Sequence, residues 1–163
     1  MCVRMSEMNM GFVPRDAASV GPEMEALFAN GEQVTLQVSG DSMRPLLKPR
    51  RDAVLLTPTV GEPFRKGDIL FFRSQRSASG YALHRVVRMA GGRLTMNGDA
   101  QVWTEDIDPG DVLAKAIVLI RNGEPVDPYC FRLRLLTAVW GVTRPARFRL
   151  FAIWRGIKQI VKK

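Results

Sequence analysis

The sequence contains very few of the residues that build metal centres and disulfide frameworks. There is one histidine in 163 residues, and the two cysteines, Cys2 and Cys130, lie far apart along the chain. They form no CxxC spacing, and no secretory signal peptide indicates an oxidising compartment. These shortages exclude a histidine-rich metal centre and argue against a zinc site or a disulfide framework. We therefore expect a function that uses neither a metal nor a cofactor.

Long apolar runs are also missing from the sequence. The longest near-apolar run, 135–142, is far below the roughly 20 residues that a helix needs to cross a bilayer. The N-terminal stretch likewise lacks the apolar core of a signal peptide. We therefore expect neither a transmembrane helix nor a cleavable signal peptide, and a peripheral membrane or cytoplasmic location.

Acidic residues are absent from the last part of the chain. Between Pro128 and Lys163 there is no Asp or Glu, but there are nine of the 24 Lys and Arg residues. The rest of the chain therefore carries 15 basic residues and all 16 acidic ones, and is close to neutral. The net charge of +8 therefore belongs to this segment. Within 145–163 the apolar residues recur at three- and four-residue spacing, which predicts a basic amphipathic helix. This helix suits either contact with an anionic membrane surface or packing on the rest of the protein. No groove-reading motif accompanies the charge, so we expect no nucleic-acid partner.

The remaining composition is that of a globular domain with a β pattern. Hydrophobic residues make up 46% and charged residues 25% of the chain, which is enough apolar material for a core. Between residues 33 and 121, short β-type runs alternate with Gly, Pro and Asp, without intervening long helices. This pattern predicts a mainly β sandwich or barrel. The predicted strands are 34–38, 53–56, 69–72, 82–87, 93–96 and 112–120, with a hairpin turn at Ala90-Gly91-Gly92.

These patterns divide the chain into three parts. Residues 1–30 are predicted to be a loosely structured lead-in, in which only 23–29 could form a short helix. Residues 31–127 are predicted to be the β domain, and residues 128–163 the basic helical tail.

One stretch of the β domain could carry chemistry. Residues 38–45, VSGDSMRP, end a strand with a glycine, an acid and a serine. Ser42 would be a nucleophile only if a base took its proton and donors held the resulting oxyanion. His84 is the single histidine and can accept a proton near pH 7. Strand alternation places His84 on the same face as Ala82 and Val86.

A carboxylate would complete such a pair by orienting the imidazole and stabilising its protonated form. Asp99 follows the predicted hairpin within plausible reach of His84, and Glu105, Asp106 and Asp108 come shortly afterwards. Taken alone, a histidine in a strand is more often structural, and Gly-Asp after a strand is usually a turn. The order and combination of these residues are therefore more informative than any single one.

Together these residues resemble the clan of serine peptidases that contains signal peptidase I and LexA. The resemblance covers residues 34–120 and implies the signal-peptidase and LexA type of fold. Because a histidine rather than a lysine precedes Arg85, the chain is most similar to the endoplasmic-reticulum, archaeal and sporulation-type signal peptidases. The similar motifs are a nucleophile box (GDSMRP, 40–45), a strand box (GDILFF, 67–72), a base box (LHRVV, 83–87) and a Gly-Asp box (NGDA, 97–100).

The resemblance implies a role for each site residue. Ser42 is the nucleophile and His84 the general base, with Asp99 as the first choice for the supporting acid. A second acidic position of the family matches Asp106 or Glu105, and spacing does not decide between them. Oxyanion donors are expected from the backbone at Gly40, Asp41 and Ser42. The implied activity is that of a serine endopeptidase that cleaves a signal or leader peptide from a precursor protein.

Two departures and two alternatives accompany this resemblance. Arg51-Asp52 stands where relatives often have Gly-Asp, and the basic tail would have to replace the transmembrane anchor of membrane-embedded relatives.

One alternative is a LexA-like self-cleaving regulator, although residues 1–41 contain neither Ala-Gly nor Cys-Gly, the usual scissile pairs of such proteins, and no helix-turn-helix. The other is an inactive module of the same fold that binds a peptide by strand addition.

Overall fold

A computed structural model describes residues 15–16, 21–59, 61, 63–130 and 133 of the chain. This part of the protein is mainly β, as predicted, with nine strands, one α-helix and a short 3₁₀ helix at Pro109–Asp111. The elements in chain order are β1 (Arg15–Asp16), α1 (Gly21–Ala29), β2 (Val34–Gln37), β3 (Ala53–Pro58), β4 (Ile69–Arg73), β5 (Tyr81–Ala90), β6 (Arg93–Asn97), β7 (Glu105–Ile107), β8 (Val112–Arg121) and β9 (Glu124–Val126).

The six predicted strands are confirmed, with ends that differ by a few residues. In β2 the burial alternates, with Val34 and Leu36 inside, as expected of a half-buried strand. The predicted hairpin is also confirmed: Gly91 and Gly92 join β5 to β6 with φ angles of 57° and 73°, values that favour glycine. Strands β1, β7 and β9 were not predicted, because two or three residues are too few to show alternation.

The strands form one sheet in the order β1-β2-β3-β8-β4-β5-β6-β7, with β9 paired to the end of β8. All pairs are antiparallel except β1 with β2. The register shifts within the β3–β8, β4–β8 and β5–β6 pairs. Such irregularities bend strands and increase their twist, so they curve a sheet that would otherwise be flat.

Two hydrophobic clusters cover opposite faces of the central strand β4. Ile69 and Phe71 pack into the first cluster, whereas Leu70 and Phe72 pack into the second. This division follows from the alternation of side chains along a strand. All four side chains are buried, so β4 has no solvent-exposed face over these residues.

Helix α1 completes the first cluster by burying Met24 and Phe28. It lies within the stretch 1–30 that the sequence indicated as a lead-in. Among the described residues, no helix has the length and apolar character needed to span a membrane. The predicted amphipathic helix at 145–163 lies outside the described residues, as does most of the predicted tail 128–163.

Candidate functional site

A cavity of about 230 Å³ lies beside the end of β2. Its walls come from β2 and the loop that follows, from β5, and from the connections between β4 and β5 and between β6 and β7. Ser42 and His84 both line this cavity, and so does Gly40. The fold therefore brings the predicted nucleophile and the predicted base to one cavity, although they lie on separate elements.

The loop that carries Ser42, residues 38–52, is closed at its base by backbone hydrogen bonds. The Val38 N–H donates to the Asp52 carbonyl at 3.0 Å, and the Arg50 N–H donates to the Val38 carbonyl at 2.7 Å. Arg50 has a φ of 61°, the left-handed conformation that closes the turn. Within the loop, Met43 and Leu47 are buried in the first cluster. These contacts leave Ser42, which is half-buried, in a fixed loop rather than a loose one.

Asp52 has a structural role that explains the pair Arg51-Asp52, which stands where the similar family often has Gly-Asp. The fully buried carboxylate accepts the Lys48 N–H at 2.8 Å and the Asn122 N–H at 3.0 Å, and it is paired with the Arg51 guanidinium. Burial alone would raise the pKa of Asp52, but the hydrogen bonds from Arg51, Lys48 and Asn122 bring that pKa below its usual value. The aspartate therefore anchors the loop to the turn between β8 and β9, and the arginine before it supplies the counter-charge.

The loop is held at Ser42 itself by the NGDA segment that follows β6. The Ala100 N–H donates to the Ser42 carbonyl at 2.8 Å. A Cβ atom on Gly98 would lie 2.8 Å from that same carbonyl oxygen and 2.7 Å from Oε1 of Gln101. Only glycine permits so close an approach. The sequence pointed to this segment as a source of an acid, whereas the structure adds a role in positioning the Ser42 backbone. Gly98 is the feature of the sequence that could have indicated this close contact.

His84 is buried on β5 and faces the second cluster. It lies on the same face as Ala82 and Val86, as predicted, and its ring lies 5.9 Å from that of Phe72 and edge-on at 5.9 Å to that of Trp103. Burial lowers the pKa of His84 to about 4, and the carboxylates of Glu105 and Asp99 only partly oppose this shift. The imidazole is therefore neutral at pH 7 and can accept a proton. Its buried Nδ1 has no hydrogen-bond partner among the described residues.

Asp99 is paired with the residue that follows His84 in β5. Its two carboxylate oxygens accept the Nε and Nη2 donors of Arg85, each at 2.9 Å, and both side chains are largely buried. Arg85 also donates to the Gly67 carbonyl at 3.0 Å. Asp99 thus joins the NGDA segment to β5 and to the turn before β4. The negative charge of Asp99 raises the pKa of His84, but by less than the negative charge of Glu105 raises it.

Glu105 and Asp106 are neighbours on β7 and face opposite sides of the sheet. Glu105 is buried, and its carboxylate accepts the Ser74 hydroxyl at 2.7 Å and the Gln75 N–H at 3.0 Å. Asp106 is exposed and accepts the Thr95 hydroxyl at 2.6 Å. The structure therefore brings Glu105 toward His84 and places Asp106 on the solvent side. Asp108, further along, caps the 3₁₀ helix by accepting the Gly110 N–H at 2.9 Å.

The predicted oxyanion segment borders open space. Nothing lies within 4 Å of the position that a Cβ atom on Gly40 would occupy. Asp41 is exposed, and its carboxylate pairs with Arg44 at 2.9 Å. Within the described residues, no group accepts a hydrogen bond from the backbone N–H of Gly40, Asp41 or Ser42. Of these three residues, Gly40 and Ser42 line the cavity, so their N–H groups remain available to a ligand there.

Several residues of the site were not found from the sequence. Trp103 lies against His84, Ser74 holds Glu105, and Tyr81 forms a wall of the cavity. The Tyr81 ring stacks on Phe71 at 5.7 Å, and its hydroxyl donates to Glu25 of α1 at 2.8 Å. None of the three belongs to a motif in the sequence, so only the three-dimensional arrangement reveals its place in the site.

The described residues contain no group of three His, Cys, Asp or Glu side chains arranged to hold a metal ion. Neither a model of a known protein family nor a curated protein sequence matches this chain. Its function is therefore inferred from the site together with the order of the motifs.

Proposed function

We propose that this chain is a serine endopeptidase of the signal-peptidase type that cleaves a signal or leader peptide from a precursor protein. The observation that carries the proposal is the meeting of Ser42 and His84 in one cavity, with the buried carboxylate of Glu105 close enough to raise the pKa of His84. A binding function alone does not need this combination. The fold would be that of the signal peptidases and LexA, which the motif order supports.

The four motifs lie in positions that suit this proposal. The nucleophile box forms the loop after β2, and the base box lies in β5. The strand box forms β4, which pairs directly with β5, and the NGDA segment bonds to the backbone of Ser42. Three motifs that are separated along the chain thus line a single cavity, and the fourth contacts the loop that carries Ser42.

In the proposed reaction, Oγ of Ser42 attacks the carbonyl carbon of the scissile peptide bond while His84 takes its proton. The backbone N–H groups at Gly40, Asp41 and Ser42 hold the negative oxygen that forms. The imidazolium is stabilised by the negative field of Glu105 and Asp99 and gives its proton to the departing amine. A water molecule then attacks the acyl carbon of the ester and gives a proton to His84. The bond from this carbon to Oγ of Ser42 breaks, Oγ takes the proton back from His84, and the new carboxylate is released.

An inactive peptide-binding module is the second candidate, and one observation favours it. Strand β1 pairs in parallel with β2, and its partners Leu36 and Gln37 both line the cavity. The outer edge of β2 therefore already accepts an extended chain through backbone hydrogen bonds. A peptide that took the place of β1 at this edge would be aligned in the same way whether or not it is cut, so the two candidates differ only in the cleavage.

The proposal is tested with quenched fluorogenic libraries of randomised octapeptides. We expect Ser42→Ala and His84→Ala each to lower the rate of cleavage by about 10⁴-fold, because neither nucleophile nor base can be replaced by water. Ser77→Ala is the matched control, since it removes another hydroxyl that lines the cavity and should leave the rate within twofold.

Undiminished cleavage by the Ser42→Ala protein would rule out the proposed mechanism. Mass spectrometry of the incubated chain separates the self-cleaving alternative, which predicts an N-terminal fragment from the wild type and none from Ser42→Ala. Peptide binding without any cleavage by the wild type would favour the binding module.

A further inference from the structure

The cavity has a distinctive charge. Among the described side chains that line it, Arg76 is the one that is charged at pH 7. His84 also lines the cavity but is neutral at this pH. The rest of the lining is apolar or carries hydroxyl and amide groups. A peptide in this cavity would therefore meet one positive charge and no negative one among the lining residues.

Arg76 differs from the other arginines around the site. Arg44, Arg51, Arg73 and Arg85 each form an ion pair with a carboxylate. The guanidinium of Arg76 forms no ion pair within the described part of the chain and lies 5.3 Å from the ring centroid of Trp103. Stacking on an indole positions a guanidinium without using its hydrogen-bond donors.

The position of Arg76 is linked to the proposed catalytic groups on both sides. Its backbone N–H donates to Oγ of Ser74 at 3.2 Å, and the Ser74 hydroxyl donates to Glu105. Its guanidinium lies over Trp103, whose ring is edge-on to His84. Arg76 is therefore one side chain away from both the base and the buried carboxylate.

The nearby carboxylates are already engaged and do not neutralise this arginine. Glu105 accepts hydrogen bonds from Ser74 and Gln75, and Asp99 is paired with Arg85. A ligand carboxylate would thus find a planar fork of donors that no acceptor among the described residues occupies, the geometry that suits two parallel hydrogen bonds.

We propose that Arg76, which lies over the Trp103 ring, selects peptides with an Asp or Glu side chain near the scissile bond. This inference rests on the proposed peptidase function and specifies its substrate class. Because Arg76 is exposed, the expected preference is moderate, about fivefold for Asp over Asn, and it decreases as salt screens the pair.

The test uses three versions of the octapeptide library, with Asp, Asn or Lys fixed at one position that is moved along the peptide. At low ionic strength, the wild type should cleave the Asp version about fivefold faster than the Asn version for at least one position. Arg76→Ala should bring this ratio close to one, Arg76→Lys should keep part of it, and Arg76→Glu should favour the Lys version.

Arg88→Ala is the matched control, because it removes the same charge from an exposed position of β5 outside the cavity and should preserve the preference. A preference that survives in Arg76→Ala, or an equal loss for all three library versions, would overturn the assignment. Reversal by Arg76→Glu is a result that a merely structural role of Arg76 cannot produce.

Fluorescence anisotropy with labelled libraries and the Ser42→Ala protein separates this inference from the peptidase proposal. Binding with an Arg76-dependent preference for Asp, but without cleavage by the wild type, would refute the peptidase and keep the selection by Arg76. Cleavage without any preference would refute the selection alone. Absence of both binding and cleavage would contradict both.

Discussion

The proposed nucleophile and the proposed base are held by two differently built regions. Ser42 lies in an irregular loop that is fixed by backbone hydrogen bonds at its base and by buried side chains within it. His84 lies in the middle of a regular strand, where pairing with β4 and alternation along β5 determine its direction. The comparison shows that a strand positions a side chain through its own regularity, whereas a loop needs support from the surrounding structure.

The two regions are linked through the NGDA segment, which pairs with β5 through Asp99 and Arg85 and with the Ser42 loop through one backbone hydrogen bond. This bond joins the Ala100 N–H, which follows the β5–β6 hairpin, to the Ser42 carbonyl. The absence of a side chain at Gly98 allows this approach. If this bond sets the distance between nucleophile and base, changes at the junction should affect activity more than changes within either region.

Gly98→Ala should therefore have the largest effect among the variants that keep every proposed catalytic group. The added methyl would lie 2.8 Å from the Ser42 carbonyl oxygen, so that the loop must move. A displacement of this kind costs about 100-fold in rate, and kcat/KM for a cleaved library peptide measures it. The matched control is Gly110→Ala, whose closest contact would be 3.3 Å to Asp108, outside the site. Equal activity of the two variants would show that the junction does not position Ser42.

His84 makes the stability of the strand region depend on pH between about 4 and 6.5, whereas the lowered pKa of Asp52 in the loop region acts at more acidic pH. The folded pKa of about 4 for His84 lies below the usual 6.5, so between these values the unfolded chain binds the proton and the native protein does not. The stability that His84 contributes is therefore complete above pH 6.5 and is lost as the pH falls toward 4. Between pH 7.5 and pH 5 the loss should be about 2 kcal/mol.

Urea unfolding of the wild type and of His84→Gln at both pH values measures this loss. Because His84 is the only histidine of the chain, the difference between the two proteins isolates one titrating group. The stability of the wild type relative to the variant should decrease by about 2 kcal/mol at the lower pH. A constant difference would mean that His84 is protonated in the folded state as readily as in the unfolded chain.

Glu105 and Asp106 provide the smallest and most selective test. Glu105→Gln removes the charge that most strongly favours protonation of His84, and we expect kcat to fall about tenfold. Asp106→Asn removes the same charge one residue away, on the exposed face, and should change kcat less than twofold. The pair is measured with the same peptide at the same pH. A larger loss for Asp106→Asn would assign the supporting role to the exposed acid instead.

Regular strands explain what the sequence could predict. Alternation identified the strands around β4 and the face of His84, because each position of a strand fixes the direction of the next. The choice among Asp99, Glu105 and Asp106 could not be made, since β7 is three residues long and shows no pattern of its own. The contact of Gly98 with Ser42 was equally hidden, because it joins segments that are distant along the chain.

The burial of β4 on both faces has a consequence for how the four motifs should be weighed. GDILFF fills two cores at once and NGDA admits the Ser42 loop, so both motifs satisfy packing demands that exist whether or not a reaction occurs. A chain that had lost its chemistry could retain both without penalty. The motifs therefore differ as evidence for function. Packing alone explains the residues of β4 and Gly98, whereas only Ser42 and His84 distinguish a peptidase from an inactive protein of the same fold.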